Sequence, residues 1–279
     1  MSSRDSGSYL YWSERRVTEI ASDNGIRLGD RLNWTVKAAP QGIGAEVASR
    51  DRAELSRRER ALKIEKAIGS KAASIFDLPP RTRFAKGVGR VDIARFIGGP
   101  ERDKGAMFHV RTTSSRGQRV DLVLFGSMDN FPGQILRSSD APEAGWYSSA
   151  WHAIAELLES RGTRNTSQWD DPESLSVEVL NLALHQGSTG TEGDHEGRPW
   201  TRGYTLAHAD DSEWFAQIYT DVVLTERRWN LRGNMSGAQR ILVGAPVWLR
   251  TATPQSVVRY AEMRQRATTT RRRRMPFMR

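Results

Sequence analysis

The chain predicts an α+β protein: a mainly antiparallel sheet region, then a helical region, then a closing C-terminal strand. Three observations carry this reading. Period-two apolar stretches separated by turn residues crowd the first half, to about residue 135. Segments with helical periodicity and recognisable helix starts follow between about 146 and 230. A last apolar run, Ile241 to Leu249, returns to strand character. Strands and helices do not alternate, which argues against a doubly wound sheet.

Taken in order, Tyr9–Leu10–Tyr11–Trp12 is an aromatic run suited to a strand, and Ser13 follows as an N-cap for a short helix through Val17 and Ile20. Arg31 to Lys37 alternates, with Leu32, Trp34 and Val36 on one face, and Pro40–Gln41–Gly42 turns the chain into a second strand over 43–48. Residues 51–75 read as the longest helix. Ala61, Ile64, Ile68, Ala72 and Ile75 form its apolar stripe, Glu54–Arg58 and Glu59–Lys63 are favourable i,i+4 pairs, and Pro79–Pro80 stops it. Gly87 to Ile97 is a strand, and Met107–Thr113 with Gln118–Phe125 form a hairpin around Ser114–Ser115–Arg116–Gly117. Apolar residues on both faces of 120–125 mark a central strand.

Trp151, Ile154, Ala155 and Leu158 then fall at helical spacing. Asp171–Pro172–Glu173 combines a capping Asp, a Pro at the first helical position and an acid in the first turn, so Leu175 to Leu184 is a helix, apolar nearly all round and therefore buried. Residues 187–203 are a Gly-rich polar loop. Asp210–Asp211–Ser212–Glu213 reads as the start of another helix, with Trp214, Phe215, Ile218, Tyr219, Val222 and Val223 as its stripe. In the closing strand Pro246 requires an edge position or a bulge. A last helix, about 255–266, leads into the basic C-terminus. The domain reading is one α+β domain over 8–251, with 1–7 disordered and 252–279 a helix plus disordered basic tail.

At 279 residues with nine Trp the chain can bury a substantial core. Zero Cys excludes disulfides, thiolate catalysis and Cys-ligated metal centres. No apolar run reaches membrane-spanning length, and Met1 to Gly7 has no secretory h-region, so a cytoplasmic, bacterial protein is expected. The charge of +9 is unevenly sorted: 50–119 carry a net +10, 120–258 a net −8 and 259–279 a net +7. The basic average therefore describes two segments around an acidic middle.

The block Arg271–Arg272–Arg273–Arg274 is the sharpest candidate for anion binding. Each phosphate it contacts would add salt-dependent affinity through counterion release, so nucleic acid is the leading partner class, with an acidic protein surface as the other. The plainer account is a solubilising tail, or one docked on the protein's own acidic region. Arg57, Arg58, Arg60, Lys63 and Lys66 offer a second cationic surface, but interleaved Glu54, Glu59 and Glu65 suit an ordinary solvated helix. Ser127 and Asp129, in the loop after the central strand, are the candidate catalytic groups; a turn built on Gly126 and Gly133 explains them as well. Asp194, His195 and Glu196 have the atom types for a divalent cation but sit in the Gly-rich loop. His208 beside Asp210 and Asp211 could form a charge-coupled site, although helix capping accounts for both acids. No phosphate-binding glycine loop, nucleophile elbow or zinc-binding histidine spacing occurs, so no cofactor and no metal is assigned.

Three stretches, Tyr9–Leu10–Tyr11–Trp12–Ser13, Leu124–Phe125–Gly126–Ser127 with Gly133, and Arg240 to Thr251 (RILVGAPVWLRT), resemble an uncharacterised protein family of actinobacteria. The resemblance covers about 8–251 and implies no activity, since that family has no established one. Trp12 and Met128–Asp129–Asn130 depart from its pattern, and the arginine block lies outside it. The sequence thus favours a non-enzymatic binding or regulatory protein that contacts an anionic partner. An enzyme with a site near Ser127 and Asp129 or near Asp194, His195 and Glu196, and a scaffold using acidic–basic self-complementarity, are the alternatives. Oligomeric state is not legible.

Overall fold

The computed structural model describes residues 8–28, 31–32, 52–53, 55–77, 79–96, 105–132, 171–184 and 204–274. The strand expected over 43–48, the helix around Trp151 to Leu158, and the loop with Asp194, His195 and Glu196 lie outside them, as do 1–7 and 275–279. The chain forms two compact units, Glu14–Ser70 and Met1–Ser13 with Lys71–Arg279.

In the smaller unit, α1 (Glu14–Asp23) buries Val17, Ile20 and Ala21, and α2 (Arg57–Ile68) buries Ala61, Ile64 and Ile68. Two short strands, β2 (Arg31–Leu32) and β3 (Arg52–Ala53), pair antiparallel. The helix is shorter than the 51–75 its stripe predicts. A capping box sets its start: Ser56 Oγ accepts from Glu59 N, and Glu59 reaches back to Ser56 N. Gly69 ends it at a φ of 55°, where a side chain would be strained. Ala72 and Ala73 then form β4, a strand of the larger unit, so the last two stripe residues belong elsewhere. Arg60 pairs with Glu14 and Lys63 Nζ donates to the Arg27 carbonyl at 3.2 Å, so two of this helix's expected surface cations are used internally.

The larger unit is a closed barrel. β5 (Phe84–Phe96), β6 (Gly105–Thr113) and β7 (Arg119–Ser127) form an antiparallel meander. Helix α3 (Pro172–Leu184) follows, then the long hairpin of β8 (Tyr204–Val223) and β9 (Ala238–Thr251). β9 pairs parallel with β7, and β8 pairs antiparallel with β5, which closes the ring β5-β6-β7-β9-β8. The short β1 (Tyr9–Trp12) adds to β9, and β4 to β5. Helix α4 (Pro254–Arg274) ends the described chain. The mixed α+β class and the closing strand are as expected.

Period-two alternation puts Val91, Ile93, Phe108, Val110, Leu122, Leu124, Trp214, Ile218 and Leu242 into the barrel interior. The outward residues Met107, Val123, Phe125, Ile241 and Val243 are covered by Leu175, Val179, Leu180 and Leu182 of α3. Both faces of β7 and β9 are therefore buried, which explains their continuous apolar runs. Asp171 caps α3 as expected, accepting from Glu173 N at 3.1 Å and Ser174 Oγ at 2.8 Å.

One expectation is overturned. Residues 210–223 are not a helix but the heart of β8. Trp214, Ala216 and Ile218 point inward, while Phe215 faces outward and stacks on Phe84 and Trp248 at ring-centroid distances of 5.9 and 4.4 Å. Over 212–218 apolar residues fill both faces of the strand, so the alternation that marks a strand is lost and the helical spacing of the apolar residues arises by coincidence. The acids that suggest a helix start have other tasks: Glu213 is buried and pairs with Arg250 and Arg259 at 2.9 and 2.7 Å. Pro246 does sit at a bulge, between Ala216↔Pro246 and Phe215↔Trp248. It also falls between the β7 pairing, which stops at Gly244, and the β1 pairing, which starts at Trp248, where no partner strand needs its missing N–H. The final helix runs past 266, and its backbone includes Arg271 to Arg274.

Candidate functional site

Strand register assembles a charged row on the barrel's outer face. Asp92 of β5 lies directly opposite His109 of β6 on one side and His208 of β8 on the other. One residue pair further along, Arg111 faces Asp121 of β7. A cavity of about 430 Å³ opens over this row, with Arg90, Asp92, His109, Arg111 and His208 as its charged and imidazole lining. Met107, Ala183 and Leu184 supply apolar wall, the last two from the C-terminal end of α3, and Asn234 borders it from the β8–β9 loop.

Exposure is graded along the row. The His208 side chain is 51% exposed and that of Asp92 38%, whereas His109 is at 8% and Asp121 at 0%. Ionised carboxylates only accept, so the imidazoles donate. His208 donates from Nδ1 to Asp92 Oδ1 at 2.6 Å, and His109 from Nε2 to Asp121 Oδ1 at 3.0 Å. His109 Nδ1 stands 3.7 Å from Asp92 Oδ2. Arg119 grips Asp121 with two hydrogen bonds, at 2.7 and 2.9 Å, and donates a third to the Ser236 carbonyl. Arg111 approaches Asp121 at 3.5 Å and donates to the Asn234 carbonyl. Arg90 donates to Asp92 at 2.7 Å and stands 3.8 Å from Asp210.

These contacts set the charge states. The His109 imidazole 3.7 Å away holds the Asp92 carboxyl far below the usual carboxylate range; burial opposes this, and Arg90 and His208 add to it. For His109, burial disfavours the cation, but Asp121 and Asp92 outweigh burial and raise its pKa. Burial likewise opposes ionisation of Asp121, and His109 with Arg119 overcomes it, so this acid stays charged inside the protein.

The β8–β9 loop that borders the cavity is tied to the start of α3. Glu173 accepts from Thr225 Oγ1 at 2.7 Å and Trp229 Nε1 at 2.8 Å, and Arg228 pairs with Asp171 and lies 4.9 Å over the Trp229 ring. Arg227 and Arg232 of the same loop are exposed. Helix α4 is fastened to the barrel by Arg259, through Glu213, and by Arg264, which donates to Thr112 Oγ1 at 2.7 Å.

Ser127 and Asp129 are brought together away from this row. Ser127 Oγ accepts from Asp129 N at 3.2 Å and lies 3.1 Å from Asp129 Oδ2, capping a single 3₁₀ turn over 128–130. Among the described residues no histidine is bonded to either. His208 is charge-coupled, but to Asp92 rather than to Asp210 or Asp211. Strand pairing brings the segments 9–12, 124–127 and 240–251 together: β1 pairs with β9, and Tyr11 Oη accepts from Ser127 N at 3.3 Å and Asn130 Nδ2 at 2.9 Å beside Gly126. Among the described residues no helix is long and apolar enough to cross a membrane, and no group of three His, Asp or Glu is placed to hold a metal ion.

No family model matches the chain, and neither a curated protein nor a solved structure does.

Proposed function

We propose that this protein is a nucleic-acid-binding module that holds a single strand over the outer-face cavity lined by β5, β6 and β8, beside the β8–β9 loop. The barrel's connectivity supports the reading. A three-stranded meander, a helix and a hairpin whose last strand runs parallel to the third make up the five-stranded Greek-key barrel known as the OB-fold. That fold binds oligonucleotides and oligosaccharides on its second and third strands and at the loops after strands one and four. Topology alone is an analogy.

The observation that carries the proposal is where the cations lie. Here α3 covers the outer face of the third barrel strand, and the surface it leaves open presents Arg111 of the second strand with Arg90 and His208 beside it, while the loop after the fourth barrel strand adds Arg227 and Arg232. Guanidinium and imidazole planes also stack on unpaired bases. The sequence carries further arginines in the C-terminal segment, the block Arg271 to Arg274 among them, in keeping with the overall charge of +9. In this reading the arginine block is an accessory contact and the barrel face the primary one.

Fluorescence anisotropy with a labelled single-stranded oligonucleotide tests the division. Deletion of 268–279 should weaken binding and leave a salt-dependent remainder, which Arg111→Gln with Arg232→Gln then removes. Binding that vanishes with the deletion alone would reduce the barrel to a passive support; binding unchanged by every variant would dismiss the proposal.

A second reading, an enzyme, is favoured by one observation. Asp92 fixes His208 with Nδ1 as its donor, which leaves Nε2 as the basic atom at the cavity, the arrangement of a general base. Among the described residues no serine or threonine lines this cavity, so such a base would act on water or on a hydroxyl of the substrate.

A further inference from the structure

We infer that the cavity over the Asp92 row is a binding site for a phosphate monoester. The inference deepens the reading of this face as anion-binding but does not depend on the ligand being a polymer.

The argument rests on which donor atoms are used and which are left. Arg90 spends Nε on Asp92, and its Nη2 lies 3.0 Å from His208 Nδ1. Arg111 spends Nε on Asp121 and Nη2 on the Asn234 carbonyl. His208 spends Nδ1 on Asp92. Among the described residues, Nη1 of each arginine and Nε2 of the histidine have no partner. Three side chains from three adjacent strands are thus held at their inner edges by buried or half-buried carboxylates: each arginine keeps Nη1 as a donor for a ligand, and His208 keeps Nε2, which accepts from the P–OH of a monoester monoanion. A guanidinium held in this way loses little further freedom on binding, which is the advantage of a built site over mobile surface cations.

The charge balance points the same way. Arg90, Arg111 and Arg119 face Asp92, Asp121 and Asp210, so every carboxylate of the site is already matched by a guanidinium before any ligand enters, and the buried His109 beside them adds no negative charge. Two donors and one acceptor on three strands suit a tetrahedral phosphate monoester, with its P–OH and two further terminal oxygens, better than a planar carboxylate, which offers two oxygens. The cavity, about 430 Å³, exceeds what a bare phosphate fills and lies within the range of small-molecule sites. Met107, Ala183 and Leu184 then provide apolar surface for an organic body on the ester oxygen. Both a free nucleoside monophosphate and the 5′-terminal phosphate of a strand have this chemistry.

The test uses the full chain and four probes: inorganic phosphate, thymidine 5′-monophosphate, and matched oligothymidylates ending in a 5′-phosphate or a 5′-hydroxyl. Imidazole NMR signals, assigned with His208→Gln, report occupancy, and calorimetry gives affinity. The side chains of Arg90 and Arg111 are about half exposed, so Arg90→Gln and Arg111→Gln should fold, as thermal unfolding will check. The expected result is a saturable shift at His208 with inorganic phosphate at millimolar concentration and with the monophosphate. Each arginine variant should weaken binding about tenfold, the loss typical of a charged hydrogen bond, and the 5′-phosphorylated strand should bind more tightly than its hydroxyl counterpart. No saturable shift with any phosphate, or unchanged affinity in both arginine variants, would overturn the inference. Equal binding of the two strands, with no binding of the monophosphate, would also overturn it while leaving the nucleic-acid reading intact. Binding of the monophosphate with neither strand bound would sustain the site and defeat the polymer reading.

Discussion

Asp121 has no exposed side-chain surface and sits between a histidine and two arginines. A carboxylate buried in this way is stable only while its partners remain, so Asp121→Ala should cost about 3–5 kcal/mol by stranding His109 and Arg119, read as a lowered denaturation midpoint. The pH dependence follows from the same groups. His109, whose pKa is raised, stabilises the fold below the ordinary imidazole pKa and loses that contribution as pH rises through its folded value. Asp92 and Asp121, whose pKa values are lowered, stabilise it above the ordinary carboxylate pKa and lose that contribution as pH falls. All three contributions are present together between roughly pH 4 and 6.5. Melting temperature should therefore fall from about pH 6 to about pH 9 in the native chain and be flatter in His109→Gln; equal slopes would remove His109 from the account. None of this row is legible in the sequence, because residues 92, 109, 121 and 208 share no spacing and meet only through strand register. Ser127 and Asp129, adjacent in sequence and so easy to notice, serve each other as a local cap.

The elements are legible where a local rule governs them. The capping Asp171, the turn between β6 and β7 and the bulge at Pro246 each follow from one or two residues. Substituting Ser56 by Ala at the start of α2 should cost about 0.5–2 kcal/mol, the usual value of an N-cap, measurable by denaturant unfolding. Elements decided by tertiary context escape such rules. β8 reads as a helix because its burial on both faces erases the alternation that identifies a strand. The true end of α2 depends on Gly69, and the stripe beyond it continues by coincidence. Close strand packing adds a test of the barrel itself. Gly244 of β9 lies against the backbone carbonyl of Gln217 on β8, which has no side-chain freedom with which to move. Gly244→Ala should destabilise the protein by about 1–3 kcal/mol through overpacking; an unaffected midpoint would contradict the β8–β9 register.

At the scale of the whole molecule, the sorted charge acquires a location. Much of the cationic surplus of 50–119 is absorbed by ion pairs, as Arg60 is by Glu14 and Arg119 by Asp121, while Arg90 and Arg111 keep donors at the cavity. The class α+β and the closing strand could be read from the sequence. Closure into a barrel could not, since it depends on the pairings of β8 with β5 and of β9 with β7, between segments more than a hundred residues apart. The central claim, that a nucleic-acid strand lies across the open face of that barrel, is tested most directly by the salt dependence of oligonucleotide affinity in the native chain and in Arg111→Gln with Arg232→Gln. Affinity should fall linearly on logarithmic scales with salt concentration, at a slope of about −0.7 per phosphate neutralised, and the double variant should make that slope shallower by about 0.7 for each phosphate left without its arginine. Affinity that does not change with salt, or a slope unchanged by the double variant, would contradict it.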